Sequence, residues 1–292
     1  MALVTKETSL FLLRLLLVLS IFFITPSNSA TDTFVFGGCS QLKYMSGSPY
    51  EYNVNSILNS LVNSATFTSY NNFTVPAAGS SSQDTVYGLF QCRGDLNNGD
   101  CGRCVAKAVS QLGTLCLDST GGVLQLEGCF VKYDNTTFMG AEDKTVVVKK
   151  CGPLISSYSD ALTRRDAVLG YLLASDGTYK PFRVGGSGDF RGMAQCVGDL
   201  SPSECQDCLS EAIQRLKTEC GAARWGDMYL AKCYARYSVG GDHSHGEKDT
   251  NNDDDEIEKT LAILIGLIAG VALIIVFVSF LSKLCEKGKG GK

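Results

Sequence analysis

The sequence contains little histidine and has little net charge, and each shortage excludes a class of function. Only His243 and His245 occur among 292 residues, which excludes most histidine-based catalysis. Lys and Arg number 26 against 30 Asp and Glu, so the net charge is −4. Nucleic-acid binding needs clustered basic residues to neutralise phosphates, and this composition argues against it. The chain is instead rich in apolar residues, at 45%, and in cysteine, with 13.

Residues 1–30 have the pattern of a secretory signal peptide. Lys6 and Arg14 supply positive charge, and the apolar run Leu15–Ile24 is short for a membrane span. Pro26 ends the run, and small residues follow at the spacing of a cleavage site. An uncleaved N-terminal anchor is the alternative. We predict that the mature chain begins near residue 31.

A second apolar segment, residues 261–281, has the length of a transmembrane helix. Its 21 residues carry no charge. At about 1.5 Å per residue it reaches ~31 Å, and a bilayer core is about 30 Å thick. An acidic stalk at 241–260 precedes it and lysines follow it, so the tail at 282–292 faces the cytoplasm. The pattern predicts a single-pass type I membrane protein whose tail is too short for an enzyme domain.

Two features near the membrane each have two interpretations. Gly266 and Gly270 have the Gly-x-x-x-Gly spacing that lets two helices approach closely. Self-association through this pair is one interpretation, and chance occurrence is the other. Cys285 lies just inside the membrane, where it is either S-acylated or an ordinary reduced cysteine.

The remaining twelve cysteines form two sets of six. From the second member of each set onward, the steps are 9, 3, 12 and 13 in both. The sequence around Cys92 also resembles that around Cys196. This pattern indicates an internal duplication, with one domain at 31–140 and another at 141–240. The sets are Cys39, Cys92, Cys101, Cys104, Cys116 and Cys129, then Cys151, Cys196, Cys205, Cys208, Cys220 and Cys233.

A secretory chain with an even cysteine count in each repeat is expected to form disulfides. The Cys-x-x-Cys pairs at 101–104 and 205–208 also suggest zinc, but an oxidising compartment argues against it. A thioredoxin-type redox motif is disfavoured because each pair belongs to a set of six. We therefore predict no metal, no cofactor and no catalytic residues.

Apolar residues recur at helical spacing in two segments of each repeat. One stripe runs from Val54 to Ala65 and its counterpart from Ala161 to Leu173, with two arginines interrupting the latter. A second helix begins near the paired cysteines. Ser201-Pro-Ser-Glu204 is a capping box, and Asn97 holds the equivalent cap position.

The second helix restricts the disulfide pairing. Cys104 and Cys116 are twelve residues apart, so a continuous helix separates them by ~18 Å. A disulfide tolerates only about 7 Å between Cα atoms. Cys104 therefore does not bond to Cys116, and by the same argument Cys208 does not bond to Cys220.

The last part of each repeat is rich in β-branched and aromatic residues. Segments 123–133 and 228–237 partly alternate, and Thr145–Val148 is a β-branched run. Helices on an antiparallel sheet form an α+β architecture. The predicted fold is therefore two tandem, disulfide-stapled domains, each with two helices packed on an antiparallel sheet.

The Cys-x8-Cys-x2-Cys motif at Cys92 and again at Cys196 resembles that of the plant ginkbilobin-type, or stress-antifungal, domain. Two such domains with one membrane span and no kinase resemble the plasmodesmata-located protein family. The resemblance implies bonding of the first cysteine to the fifth, the second to the third and the fourth to the sixth. The implied pairs are Cys39–Cys116, Cys92–Cys101, Cys104–Cys129, Cys151–Cys220, Cys196–Cys205 and Cys208–Cys233.

Ginkbilobin-type lectins bind mannose through an Asn, an Arg and an acidic residue. The matching positions here are Ser40, Val123 and Asp134, and in the second repeat Gly152, Asp227 and Ser238. Asp134 alone keeps the expected chemistry and is the one carbohydrate-site candidate. Its alternative role is that of a solvated surface residue. Asn72 and Asn135 begin glycosylation sequons.

The resemblance implies a plasma-membrane protein at plasmodesmata that modulates cell-to-cell traffic by extracellular binding. It further implies effects on callose, roles in plant defence, and encounters with viral movement proteins. The expected partners are a wall glycan or a partner ectodomain, with homo- or hetero-oligomers as a further expectation. The alternatives are a membrane-tethered carbohydrate-binding module and a kinase co-receptor. We predict that the protein is not an enzyme.

Overall fold

The two repeats have the same order of strands and helices in the computed structural model, which describes residues 30–77, 84–155, 158–174 and 178–240. The first repeat contains β1 (Phe34–Cys39), α1 (Pro49–Ser64), β2 (Tyr70–Val75), β3 (Val86–Cys92), α2 (Asn98–Leu115), β4 (Gly122–Leu126) and β5 (Cys129–Asp134). The second contains β6 (Val146–Cys151), α3 (Tyr158–Leu173), β7 (Phe182–Ser187), β8 (Phe190–Cys196), α4 (Pro202–Glu219), β9 (Trp225–Leu230) and β10 (Cys233–Val239).

Each repeat builds one five-stranded antiparallel sheet. The strand orders are β1-β4-β5-β3-β2 and β6-β9-β10-β8-β7, so equivalent strands occupy equivalent places. The first strand of each sheet has a register irregularity at the same position, between Phe34 and Phe36 and between Val146 and Val148. Two helices accompany each sheet, which confirms the predicted α+β class.

The predicted strand segments were correct in type but too coarse. Segment 123–133 contains two strands, because the chain turns between β4 and β5 at Glu127 and Gly128. Segment 228–237 turns in the same way between β9 and β10. The β-branched run ending at Val148 forms the first half of β6.

The predicted helix starts are confirmed. The Asn97 side chain accepts a hydrogen bond from the backbone N–H of Asp100 at 3.0 Å and caps α2. At α4 the capping box is reciprocal. Ser201 Oγ accepts from the Glu204 N–H at 3.4 Å, and Glu204 Oε2 accepts from the Ser201 N–H at 2.8 Å. These bonds satisfy donors that the first turn of a helix otherwise leaves open.

Three disulfides in each repeat join its second helix to its sheet. They are Cys39–Cys116, Cys92–Cys101, Cys104–Cys129, Cys151–Cys220, Cys196–Cys205 and Cys208–Cys233, which are the pairs that the resemblance implies. The two bonds in the first two turns of the helix reach two central strands, and the bond at its C-terminal end reaches the edge strand. A disulfide typically contributes about 2–4 kcal/mol, so this framework is a major source of stability.

Each repeat has its own apolar core between helices and sheet. Ile57 and Leu61 of α1 contact Gly88 of β3, where any side chain would displace them. Val168 and Leu172 of α3 contact Gly192 of β8 in the same way. These equivalent contacts fix the alignment of α1 with α3.

Several predicted segments lie outside the described residues. These are the signal peptide apart from residue 30, the stalk, the predicted span at 261–281 with Gly266 and Gly270, and the tail with Cys285. Within 30–77, 84–155, 158–174 and 178–240, no helix has both the length and the apolar character needed to span a membrane.

Candidate functional site at the junction of the repeats

The two repeats meet through a second apolar cluster, separate from either core. Leu89 of β3 and Phe130 of β5 are buried against Val197, which follows β8 in the second repeat. The Phe36 ring lies 6.3 Å from the Tyr229 ring, centroid to centroid, in an edge-on arrangement. We call this contact between the two sheets the junction. Because its residues face away from the helices of their own repeat, each sheet is covered on both sides here.

Two glutamines at equivalent positions cross the junction. Gln195 Nε2 donates to the Cys92 carbonyl at 2.9 Å, and Gln91 Oε1 accepts from the Gly198 N–H at 3.0 Å. Both side chains are nearly inaccessible. Buried amides without partners are costly, so these bonds make the relative position of the repeats specific.

A buried ion cluster lies beside the glutamines. Arg236 of β10 binds both carboxylate oxygens of Asp227 on β9, at 2.9 and 3.2 Å. Its remaining terminal nitrogen donates to Glu127 of the first repeat. Burial disfavours the charge, but Tyr229, Asp227 and Glu127 outweigh it and raise the pKa of Arg236. The guanidinium therefore stays charged and links the repeats.

Lys232 provides a third polar link between the repeats. Its ammonium pairs with Asp199 and donates to the carbonyl of Phe138 at 2.8 Å. Asp199 also accepts from the N–H of Gly140 at 3.0 Å. Both Phe138 and Gly140 belong to the segment between β5 and β6. This segment is therefore fastened to the second repeat.

The polar part of the junction encloses a cavity too small for a ligand. Its volume is about 30 Å³, and Gln91, Arg93, Gln125, Gln195 and Tyr234 contribute to its walls. A water needs roughly 10–15 Å³ of such volume. The cavity therefore has room for about two or three water molecules at most. The junction serves as an anchor between repeats.

The structure brings together two of the three first-repeat positions matched to the mannose set. Ser40 N–H donates to the Gly121 carbonyl at 2.9 Å, and a Cβ on Gly121 would lie 2.8 Å from Asp134 Oδ2. Asp134 Oδ1 accepts from the N–H and the hydroxyl of Thr136, at 3.0 and 2.9 Å. Val123 packs against the apolar cluster of the junction. Asp134 therefore organises a turn, and the cationic member of the set has no counterpart at Val123.

The matching positions of the second repeat are closed. Asp227 is bound by Arg236. Ser238 is 1% exposed, and Gly152 lies under the indole of Trp225. A sugar has no access to these three groups in this arrangement, so a carbohydrate site at Asp134 remains a prediction for the first repeat alone.

Among the described residues, no group of three or more His, Cys, Asp or Glu side chains is placed to hold a metal ion. Asn72 is exposed on the edge strand β2, where its Nδ2 donates to the Tyr70 hydroxyl at 2.8 Å. Asn135 directly follows β5. Glycosylation at these two positions stays a prediction.

Sequence reasoning missed the junction. Its hydrogen bonds and ion pairs join residues about a hundred positions apart. The cysteine alignment matches Arg236 with Lys132 but Glu127 with the uncharged Ala231, so no repeated charge pair marks the junction. The one available signal was the pair of Gln-Cys dipeptides, at 91–92 and 195–196, where a polar residue recurs inside an apolar strand.

A comparison with known families matches the Salt stress response/antifungal family model twice, at residues 38–136 and 150–240. Among curated relatives, Plasmodesmata-located protein 6 of Arabidopsis thaliana is 64% identical over 274 residues, covering 92% of this chain and 94% of the relative. Plasmodesmata-located protein 7 of the same plant is 58% identical over 265 residues, covering 91% and 87%.

Solved structures agree with these relatives. The crystal structure of the tandem DUF26 ectodomain of the Arabidopsis thaliana cysteine-rich receptor-like protein PDLP5 matches with a TM-score of 0.68 and 49% identity. The corresponding PDLP8 structure matches with a TM-score of 0.67 and 43% identity. Each match covers 72% of this chain and 100% of the solved chain. The chain therefore belongs to the plasmodesmata-located protein family, with two stress-antifungal (DUF26) domains in tandem.

Proposed function

We propose that this protein acts at plasmodesmata, where it modulates cell-to-cell traffic by binding and without catalysis. The observation that carries the proposal is identity of 64% and 58% to two plasmodesmata-located proteins along nearly the whole chain. Identity at this level extends beyond the cysteine framework, so it supports a shared role as well as a shared fold.

The proposed topology follows the sequence pattern. Residues 31–240 face the cell wall, residues 261–281 cross the plasma membrane, and residues 282–292 form the cytoplasmic tail. The wall-facing part binds a wall glycan or the extracellular domain of another protein. Self-association through Gly266 and Gly270 and acylation of Cys285 concentrate the protein at the pore.

The proposed consequence of binding is a change in pore permeability. Callose deposition narrows the channel, and viral movement proteins use the clustered protein as a docking partner. The stapled repeats and their locked junction suit this role, because a preorganised surface loses little conformational entropy when a partner binds.

The test is imaging of a fluorescently tagged full-length chain together with a callose stain. We expect punctate signal that crosses the wall and coincides with callose, and reduced spread of a mobile dye when the protein is overproduced. The matched control keeps the signal peptide, stalk, span and tail but lacks residues 31–240, and it should leave dye spread unchanged.

Two results would contradict the proposal at different points. An even distribution over the cell surface would refute the placement at plasmodesmata. A punctate signal with unchanged callose and dye spread would refute the effect on traffic while leaving the placement intact.

A further inference from the structure

The first repeat buries a tyrosine where the second repeat has an alanine. Ile57 and Val168 occupy equivalent positions because each contacts the equivalent glycine of its sheet. Seven residues earlier, two turns toward the N-terminus of each helix, lie Tyr50 and Ala161. Tyr50 therefore carries a complete phenol ring that Ala161 lacks.

Tyr50 fills its place in the first repeat. It is 4% exposed, and its ring lies 5.5 Å from that of Tyr44. The Tyr50 hydroxyl donates to the backbone carbonyl of Thr120 at 2.5 Å. Burial is the main cause of its raised pKa, and nearby Asp134 adds to it. The phenol is therefore a neutral, hydrogen-bonded part of the first core.

The second repeat has an open pocket at the equivalent place. Its volume is about 340 Å³, which lies at the small end of the range for small-molecule sites, about 300–1,000 Å³. We call it the α3 pocket. Its apolar floor is formed by Ile155, Ala161, Phe190 and Val239. Of these, Val239 and Phe190 are paired across β10 and β8.

The rim of the α3 pocket carries charges of both signs. Arg164 pairs with Asp160 and, at 3.4 Å, with Asp189. Arg224 also lines the pocket, and its exposed guanidinium forms no hydrogen bond or ion pair with another residue in the described part of the chain. A guanidinium placed this way is available to an aromatic face, because the ring quadrupole attracts cations.

The hydroxyl acceptor of the first repeat also has a counterpart. The cysteine alignment matches Thr120 with Arg224, whose carbonyl accepts one hydrogen bond, from the Val239 N–H at 3.0 Å. A carbonyl oxygen has two lone pairs, so it can accept a second bond from a phenol. The pocket thus offers an apolar floor, a cation and a hydroxyl acceptor.

We infer that the α3 pocket is a binding site for a phenolic ring, supplied either as a free small phenol or as a tyrosine side chain of a partner polypeptide. The occupant is argued from the chain itself, since Tyr50 shows what the same fold holds at this position. The pocket lies on the helix side of the second sheet, whereas Asp227 and Ser238 of the mannose set face the junction. The inference is independent of the location at plasmodesmata.

The test is calorimetric titration of the purified full-length chain with p-cresol. We expect one site per chain, with toluene binding more weakly because it lacks the hydroxyl, and methylcyclohexane weaker still because it lacks the π face. N-acetyl-tyrosinamide separates the two sources. Binding of both p-cresol and the amide indicates a tyrosine side chain, and binding of p-cresol alone indicates a free phenol.

Two variants locate the site. Ala161→Tyr supplies the missing ring, so p-cresol affinity should fall by at least about tenfold while circular dichroism stays unchanged. If this variant misfolds, Ala161→Leu, which fills part of the pocket, replaces it. Tyr50→Ala opens the equivalent space, and we expect a second p-cresol site and a lowered Tm that p-cresol partly restores.

Two results would overturn the inference. One is the absence of heat and of any Tm shift with millimolar p-cresol in the unmodified chain. The other is unchanged p-cresol binding in folded Ala161→Tyr or Ala161→Leu, which would place the ligand elsewhere. Neither result bears on punctate localisation of the tagged protein, so failure here is distinguishable from failure of the proposed function.

Discussion

Two buried arginines in the second repeat differ in how completely their charges are compensated. Arg236 has all three guanidinium nitrogens engaged, by Asp227 and Glu127. Arg165 pairs with Asp166, at 2.7 and 3.0 Å, but its Nη1 is buried without a hydrogen-bond partner among the residues that the structure describes. Its first-repeat equivalent is Val54, which is 3% exposed. The second repeat therefore has a charged side chain at a buried position where the first repeat has an apolar one.

Arg165→Met should therefore leave the free energy of unfolding unchanged or raise it. Replacing buried ion pairs with apolar residues of similar volume is often neutral or stabilising by about 1–4 kcal/mol. Asp166 tolerates the loss because about half of its side chain is exposed. Urea denaturation measures the difference.

Arg215→Met is the matched control at an exposed arginine. Arg215 pairs with Glu211 and Glu219 on the surface of α4, and such pairs contribute about 0–1 kcal/mol. A loss of more than about 2 kcal/mol in Arg165→Met alone would mean that Arg165 stabilises the repeat and that the argument from Val54 fails.

At the scale of single elements, the second helix of each repeat has a defined start and is bonded at both ends. The cap of α4 is reciprocal. At α2, Asn97 accepts from the Asp100 N–H, and the Asp100 carboxylate accepts from the Asn97 side-chain amide. The pKa of Glu204 is lowered by its hydrogen bonds with the side chain and the backbone N–H of Ser201.

Ser201→Ala should destabilise the second repeat by about 0.5–2 kcal/mol, the usual loss for an N-cap residue. Glu204 makes the effect depend on pH. Its folded pKa is depressed below the ordinary 4.5, so its contribution is present above that value and disappears as the pH falls through the folded pKa. Denaturation of variant and unmodified chain should therefore differ less in acid than at neutral pH.

The control for this prediction is Ser210→Ala on the exposed face of the same helix. It removes the same hydroxyl away from any cap, and we expect a change within about 0.5 kcal/mol. Two results would contradict the role of the Ser201–Glu204 capping box. One is an equal loss of unfolding free energy in the two variants, and the other is a loss in Ser201→Ala that increases in acid.

The elements that the sequence predicted are those whose signals are local. The caps, the helical stripes and the repeated cysteine steps each depend on residues within a few turns of one another. Five strands were not predicted: β1, β3, β8 and the edge strands β2 and β7. The last two have weak strand signals, because YNNFTV and FRVGGS mix Asn, Gly and Arg into short edge strands. The α3 pocket did have a sequence signal in the difference between Tyr50 and Ala161, but aligning the helices required the contacts at Gly88 and Gly192.

At the scale of the whole molecule, the junction makes one unit of two domains that each have a core. Apolar packing, the paired glutamines and the ion cluster all cross it. None of these contacts could be predicted, because they depend on the face by which two sheets meet and not on any pattern within one repeat. The same limit applies to the predicted carbohydrate site, because the sequence did not show that Val123 belongs to the junction.

Glu127→Gln tests how strongly the junction couples the repeats. The substitution keeps the shape but removes the charge that Arg236 contacts from the first repeat. Hydrogen bonds to charged groups contribute about 1.5–3 kcal/mol, so we expect a loss of that size. Glu142→Gln removes a solvent-facing partner of Lys144 and should cost less than about 1 kcal/mol. Equal stability of the two variants in guanidinium denaturation would refute a structural role for the cluster.

The indole that covers Gly152 has a practical consequence. Trp225 is the single tryptophan of the chain and lies in the second repeat. Its emission therefore reports the melting of that half alone, whereas far-ultraviolet dichroism reports both. If the two repeats unfold cooperatively, the two optical signals will give the same melting temperature. A difference between the two melting temperatures will measure how independently the repeats unfold.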